Sequence, residues 1–280
     1  MKQIKFNAPL NEEAAIFERI KNDAPSWWHG LITLKGVYVE IRKHNRIHIY
    51  YEGGRIAELK LDGEKVRATC HPKYLGKPSR GKHPKYLDCT NQLEKDPSFI
   101  LRRIEKEYSQ KKKFNPEDIS ETKIKGDLIT NGKNNYIDSE FAHSFIYKGV
   151  KIIIRFDLVE IFNNTLRIVE LKRINDNRLR STVEENSEIL NQMASYTAFI
   201  NEFQSELLEY YKTLYKIKEA LLLPVPSCDI NNLRISLTPH LLIRNTYLKS
   251  TPGRNERVEA IRRILKGISY EITPEYIEDK

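Results

Sequence analysis

RFDLVEIFNNTLRIVELKR, residues 155–173, carries two apolar strands around an Asn163-Asn164 pair. Asparagine tolerates the positive φ that a two-residue hairpin turn requires, so the stretch predicts a tight β-hairpin. With Phe162 facing Thr165, counting outward sets Asp157 opposite Glu170 on one face of the sheet, their Cβ atoms about 4.5–5.5 Å apart. Lys172 is two residues beyond Glu170 and shares that face, opposite Arg155. Two facing carboxylates repel, more so when buried. Lys172 offsets part of that repulsion, and a hard divalent cation would offset more, since Mg²⁺ takes one or two carboxylates together with substrate phosphates. Such a cation neutralises charge on a phosphodiester and activates water. A neighbouring ammonium can orient that water and stabilise the reacting phosphorus. The bland alternative is an edge hairpin with its polar face in water, and the many Ile, Val, Leu and Phe in both strands weigh against it.

Working outward, residues 183–222 predict one long helix, apolar at 189, 193, 196, 199, 200 and 203. Within it QMASY places Gln192 and Tyr196 four apart, on one helix face. Upstream lies YIDSEFAHSF (136–145). If Lys148-Gly149 is a turn, Glu140 faces Asp157 and His143 falls on the opposite side. If the stretch is helical, Glu140 and His143 share a face. Either way Glu140 is a candidate third ligand, direct or through water. Residues 11–22 and 96–114 predict helices, the second with Asp96 as N-cap and Pro97 at its first position. Runs 31–43, 46–52 and 55–63 read as strands separated by turn signals. An apolar run at 241–243, a basic helix at 255–266 and a strand at 268–272 close the chain.

A division near residue 95 follows, with a β-rich unit over 1–95 and an α/β unit over 96–280. The chain of 280 residues has net charge +9, and +7 of it lies in the first 95 residues, 18 Lys or Arg against 11 Asp or Glu. Basic excess makes nucleic acid a candidate partner. HPKYL occurs at 71–75 and again at 83–87, and no acid falls between residues 71 and 87. Lys73, Lys77, Arg80, Lys82 and Lys85 could contact phosphates there, with Tyr74 stacking on bases. Arg173 and Arg178 could hold a backbone near the hairpin. Trp27-Trp28 is expected in a core or interface. No apolar run approaches a membrane span, and the N-terminal MKQIKFNAPLNEEAAIFERI lacks the apolar stretch of a secretory leader, so a cytoplasmic protein is expected. Three cysteines are too few for a disulfide scaffold. The sequence contains no GxxxxGK[ST], so any motor would be another polypeptide.

Asp157 followed by Glu170-Leu171-Lys172 resembles the PD-(D/E)XK nuclease superfamily over roughly residues 96–245, and Gln192 with Tyr196 is similar to the QxxxY element of its RecB-like members. Phe156 stands where that motif carries Pro. The resemblance implies a restriction-endonuclease-like α-β-β-β-α-β core with a mixed sheet. It implies Asp157, Glu170 and the Leu171 carbonyl as ligands of Mg²⁺ or Mn²⁺, with Glu140 a possible addition, and Lys172 as the catalytic lysine supported by Gln192 and Tyr196. The expected activity is hydrolysis of DNA, in preference to RNA, by an endonuclease of restriction, phage defence or DNA repair, acting as a homodimer or with a partner subunit. The competing expectation is a non-catalytic nucleic-acid-binding or scaffold protein that keeps the fold.

Overall fold

The computed structural model describes residues 5–78, 84–114, 116–131, 135–180 and 187–273. Two sheets organise them. After helices α1 (Ala15–Asn22) and α2 (Trp28–Ile32), strands β1 (Val37–Arg42), β2 (Arg46–Tyr51), β3 (Gly54–Asp62), β4 (Lys65–Cys70) and β5 (Leu87–Asp88) form an antiparallel meander in chain order. Helices α3 (Thr90–Lys95), α4 (Ser98–Phe114) and α5 (Glu121–Asn131) lead into the second sheet. It consists of β6 (Tyr136–Tyr147), β7 (Val150–Phe162), β8 (Thr165–Arg173), β9 (Arg234–Ile235), β10 (His240–Arg244) and β11 (Tyr270–Thr273). Helices α6 (Glu188–Glu202) and α7 (Gln204–Ala220) connect β8 to the strands after them, and α8 (Pro252–Ile264) connects β10 to β11. The sheet is mixed: β6, β7 and β8 are antiparallel, whereas β9 and β10 run parallel to β8 and β11 parallel to β10. The chain is thus of the mixed α/β class.

Four local readings are corrected. Residues 31–36 do not begin a strand: Leu31 and Ile32 end α2, and β1 starts at Val37. Strand β4 and helix α5 are additions to the expected elements. The long helix starts at Glu188 and breaks at Phe203, whose φ of −118° and ψ of 26° leave the helical region while its ring packs against Phe199. Helix α4 starts at Ser98, one residue after the Pro97 expected to open it, and Asp96, the C-cap of α3, also takes the Ser98 backbone N–H on its carboxylate.

Alternation explains the first sheet. Val39, Ile41, Ile47, Ile49, Ala57 and Leu59 are buried on one face in a cluster with residues of α1, α2 and α4, and Trp27 and Trp28 are buried there too. The other face carries Arg42, His48, Tyr50 and Glu58. The apolar cluster continues without interruption into Phe141, Phe156, Phe199, Leu207 and Leu214 of the second unit. Between the units lies a buried polar knot. Arg42 Nη1 donates to Asp138 Oδ1 at 2.5 Å and to the Ser139 carbonyl, while Lys218 Nζ donates to Glu40 Oε2 at 3.1 Å and to the Ile137 carbonyl at 2.6 Å. Buried charges of this kind are tolerated when each is paired and hydrogen-bonded.

Candidate acid cavity

The β7–β8 hairpin turns through Asn163 and Asn164 with φ of 49° and 56°, the signature of a type I′ turn. Its register runs from Phe162↔Thr165 to Leu158↔Val169. One step further the Asp157 carboxylate takes the Leu171 N–H, Oδ2 lying 3.1 Å from that nitrogen. Strand β8 lies inside the sheet between β7 and β10, and both of its faces are buried. Val169 and Leu171 join Ile124 of α5 in a small apolar cluster. Glu170 and Lys172 face α6 instead.

There they meet Gln192 and Tyr196. Gln192 Nε2 donates to Glu170 Oε1 at 2.7 Å and to the Tyr196 hydroxyl at 2.9 Å. That hydroxyl lies 3.0 Å from Glu170 Oε2 and also donates to the Arg155 carbonyl. Lys172 Nζ donates to Glu170 Oε1 and to the Leu171 carbonyl at 2.9 Å, with Asp157 Oδ2 at 3.8 Å. The ammonium therefore sits among the same three groups, Asp157, Glu170 and the Leu171 carbonyl, that the family resemblance implies as metal ligands. Burial, then the Asp157 charge, pushes the Glu170 carboxyl up to about 7 against the opposing pull of Lys172. Burial, with Glu170 beside it, raises the Tyr196 phenol far above its ordinary value.

These side chains line a cavity of about 270 Å³. One of its residues belongs to a segment where sequence reasoning saw no site. Glu121, in the first turn of α5, lines the cavity, and its Oε1 is buried without a hydrogen-bond partner among the described residues. Gln192 Oε1 is in the same condition. Lys125, also on α5 and buried, bridges Glu140 Oε1 at 2.6 Å to Asp157 Oδ1 at 3.8 Å. The one local signal for α5 is Ser120-Glu121, a cap residue followed by an acid; the Ser120 hydroxyl accepts the Lys123 N–H at 3.2 Å.

Other expected residues lie elsewhere. Glu140 has a φ of 55° and lines a different, neighbouring cavity, one lysine removed from Asp157. Burial raises its carboxyl, but Lys125, helped by Arg42 and Arg155, brings it below the usual range. His143 is buried against Phe6 and Phe141 and accepts the Asn7 N–H at 2.7 Å through Nε2, so it is a core histidine. Arg178 lines the acid cavity, its guanidinium held by both oxygens of Asp176 at 3.0 and 2.8 Å. Arg173 is committed to Asp118 and to the Ile119 carbonyl.

In the basic loop, Tyr74 is a correction: it is buried in the core cluster, where no base can stack on it. Lys73 is ion-paired with Glu107. Lys77 and Lys85 are exposed, at the β4–β5 edge of the first sheet, opposite the β1 edge that contacts β6. Arg80 and Lys82 lie outside the described residues.

No protein-family model, no curated protein and no solved structure matches this chain. Among the described residues no group of three or more His, Cys, Asp or Glu side chains converges as it would around a metal ion. The oxygen set at the hairpin is two carboxylates and a carbonyl, with the partnerless Glu121 oxygen on the same cavity wall. Hard oxygens in that number suit Mg²⁺, which fills its remaining positions with water and substrate phosphate. No helix among the described residues is long and apolar enough to cross a membrane.

Proposed function

We propose that the chain is a metal-dependent nuclease that hydrolyses phosphodiester bonds of DNA. The observation that carries this reading is the convergence of Asp157, Glu170, Lys172, Gln192 and Tyr196 on one cavity. The element order α5-β6-β7-β8-α6-α7-β9-β10 supports it: with α6 and α7 taken as one helical connection and the two-residue β9 set aside, it follows the α-β-β-β-α-β order of restriction-endonuclease-like cores.

Asp157, Glu170 and the Leu171 carbonyl would hold Mg²⁺ or Mn²⁺. When bound, the ion supplies charge neutralisation at the phosphate and a lowered pKa for water. The protein's own residues do the rest. Gln192 donates to Glu170 Oε1, and the single Tyr196 hydroxyl proton is shared between Glu170 Oε2 and the Arg155 carbonyl, which fixes how the Glu170 carboxylate is presented. The Lys172 ammonium would donate a hydrogen bond to a phosphate oxygen, orienting it, and stabilise the negative charge that develops on phosphorus oxygens. Arg178, pre-oriented by Asp176, presents a guanidinium to the same cavity, the geometry that suits a phosphate.

The test is cleavage by purified protein of linear and circular duplex, single-stranded DNA and RNA, with Mg²⁺, Mn²⁺ or EDTA. Metal-dependent cutting is expected, reduced by at least about 100-fold in Asp157→Ala and Lys172→Ala. Cutting of circular DNA identifies an endonuclease. No cutting together with no metal binding by calorimetry refutes the reading in favour of a non-catalytic binding protein.

A further inference from the structure

A second cavity, of about 460 Å³, lies between the polar face of the first sheet and strands β6 and β7. Arg42, Lys43, Arg46, Arg55 and Arg155 line it, against Asp138 and Glu140. Arg42 is committed to Asp138. The other cations are neutralised only in part. Arg46, Arg55 and Lys60 all converge on the single Glu58 carboxylate, at 3.4, 3.4 and 3.0 Å. Among the described residues neither Lys43 nor Arg155 has an ion-pair partner, and both are exposed. Such an excess attracts anions from solution.

This groove adjoins the acid cavity. Arg155 lines both. Glu140, on the groove wall, is joined through Lys125 to Asp157. A polyanion whose one phosphate sat at Asp157 and Glu170 would have its neighbouring phosphates beside Arg155. The groove volume falls in the range of small-ligand pockets, roughly 300–1,000 Å³. That accommodates the links of one strand and not a paired duplex. Tyr50, stacked on Tyr38 at 5.1 Å, gives the same wall an aromatic element, and a positive groove with aromatic rings is the general form of single-strand binding sites.

We infer that the groove between the two units binds the phosphodiester backbone of a single-stranded segment of nucleic acid, leading from the acid cavity onto the first sheet; its placement beside a scissile phosphate rests on the nuclease reading above. The first unit is then the substrate-holding part of the molecule, through the Arg46–Arg55 face and not through the 71–87 loop.

The experiment is fluorescence anisotropy of a labelled single-stranded DNA oligonucleotide and of its duplex, in EDTA over a series of salt concentrations. The wild-type protein is compared with the groove variant K43E/R46E, with E58Q, and with R263E/K266E at the exposed end of α8. The single strand is expected to bind more tightly than the duplex. K43E/R46E, both exposed positions, should weaken it by about 10-fold or more and flatten the salt dependence by about 0.7 in log–log slope for each phosphate that is no longer neutralised. E58Q, which removes the one carboxylate shared by three cations, should bind more tightly, and R263E/K266E should bind as wild type. Unchanged affinity in K43E/R46E with native circular dichroism, tighter binding of the duplex, or no binding by the wild type would each overturn the inference. Cleavage by the wild type in Mg²⁺ separates the two readings. No cleavage and no metal binding, with strand binding abolished in K43E/R46E, supports the groove and removes the nuclease; cleavage with binding unchanged in K43E/R46E removes the groove alone.

Discussion

Glu58 is one carboxylate under more positive charge than it can neutralise. A hydrogen bond to His48 is the largest cause of its depressed pKa, with Lys60 adding to it against the cost of burial, and the carboxyl is held down to about 2 from an ordinary 4.5. His48 in turn is lowered by burial and stays neutral near pH 7. A depressed carboxyl contributes stability that is fully present above its unfolded value and is lost as pH falls through the folded one. Glu58→Gln should therefore be less stable than wild type at pH 7, with a gap that holds to about pH 5 and closes toward pH 2. Urea melts at about pH 7, 5 and 3.5 measure it; a gap that widened on acidification would refute the assignment. A second pair shows the opposite economy of charge. Asp138 and Arg42 are both largely buried, so either Arg42→Ala or Asp138→Ala leaves a buried group without its direct ion-pair partner and should cost about 3–5 kcal/mol. The apolar double replacement Arg42→Met with Asp138→Leu should recover most of that loss in denaturant melts, because it removes both charges together.

Among the elements, the hairpin is the most legible. Asn163-Asn164 sets the turn, the turn sets the register, and the register brings Asp157 beside Glu170 and Lys172, all by counting along the chain. Replacing Asn163 by Gly should leave the melting temperature near wild type, whereas Asn163→Val should cost about 1–2 kcal/mol, because a β-branched residue resists a φ of 49°. Helix α5 is illegible for a physical reason. Its buried residues are consecutive, Ile124, Lys125 and Gly126, so no 3.6-residue stripe marks it, and a central glycine argues against a helix. Glu121 and Lys125 stay hidden with it. The break at Phe203 is masked because apolar spacing continues across it; the ring's burial among Phe6, Phe145 and Phe199 predicts that Phe203→Ala costs about 3–5 kcal/mol.

At the scale of the whole molecule, the β2–β3 turn of the first unit touches the helix that serves the second unit's cavity. A Cβ on Gly126 of α5 would lie 2.7 Å from the Gly53 backbone nitrogen, and one on Gly53, at φ 86°, would lie 2.2 Å from the Thr122 carbonyl oxygen. Neighbouring Glu52 is ion-paired with Lys123. Gly126→Ala should push α5 and turn apart, at about 1–3 kcal/mol of stability. Cleavage should fall by about 100-fold as Glu121 and Lys125 shift with the helix. A variant that melts lower yet cuts at the wild-type rate would separate the helix position from the chemistry. Composition divides the chain near residue 95, and the two sheets do lie on either side of that point. Yet the apolar cluster crosses it, since sequence periodicity reports which face of an element is buried and not which neighbour buries it. Residues 96–280 expressed alone should show no cooperative melt.

The meeting of Gly53 and Gly126 bears on how such a protein can diversify. Lys43, Arg46 and Arg155 along the groove are surface positions, open to exchange one at a time. The glycine contact admits no intermediate: every other side chain at either place is too large, and no single replacement at the partner makes room. A lineage could therefore change what it grips many times over while these two residues, which perform no chemistry, stay fixed alongside the acids.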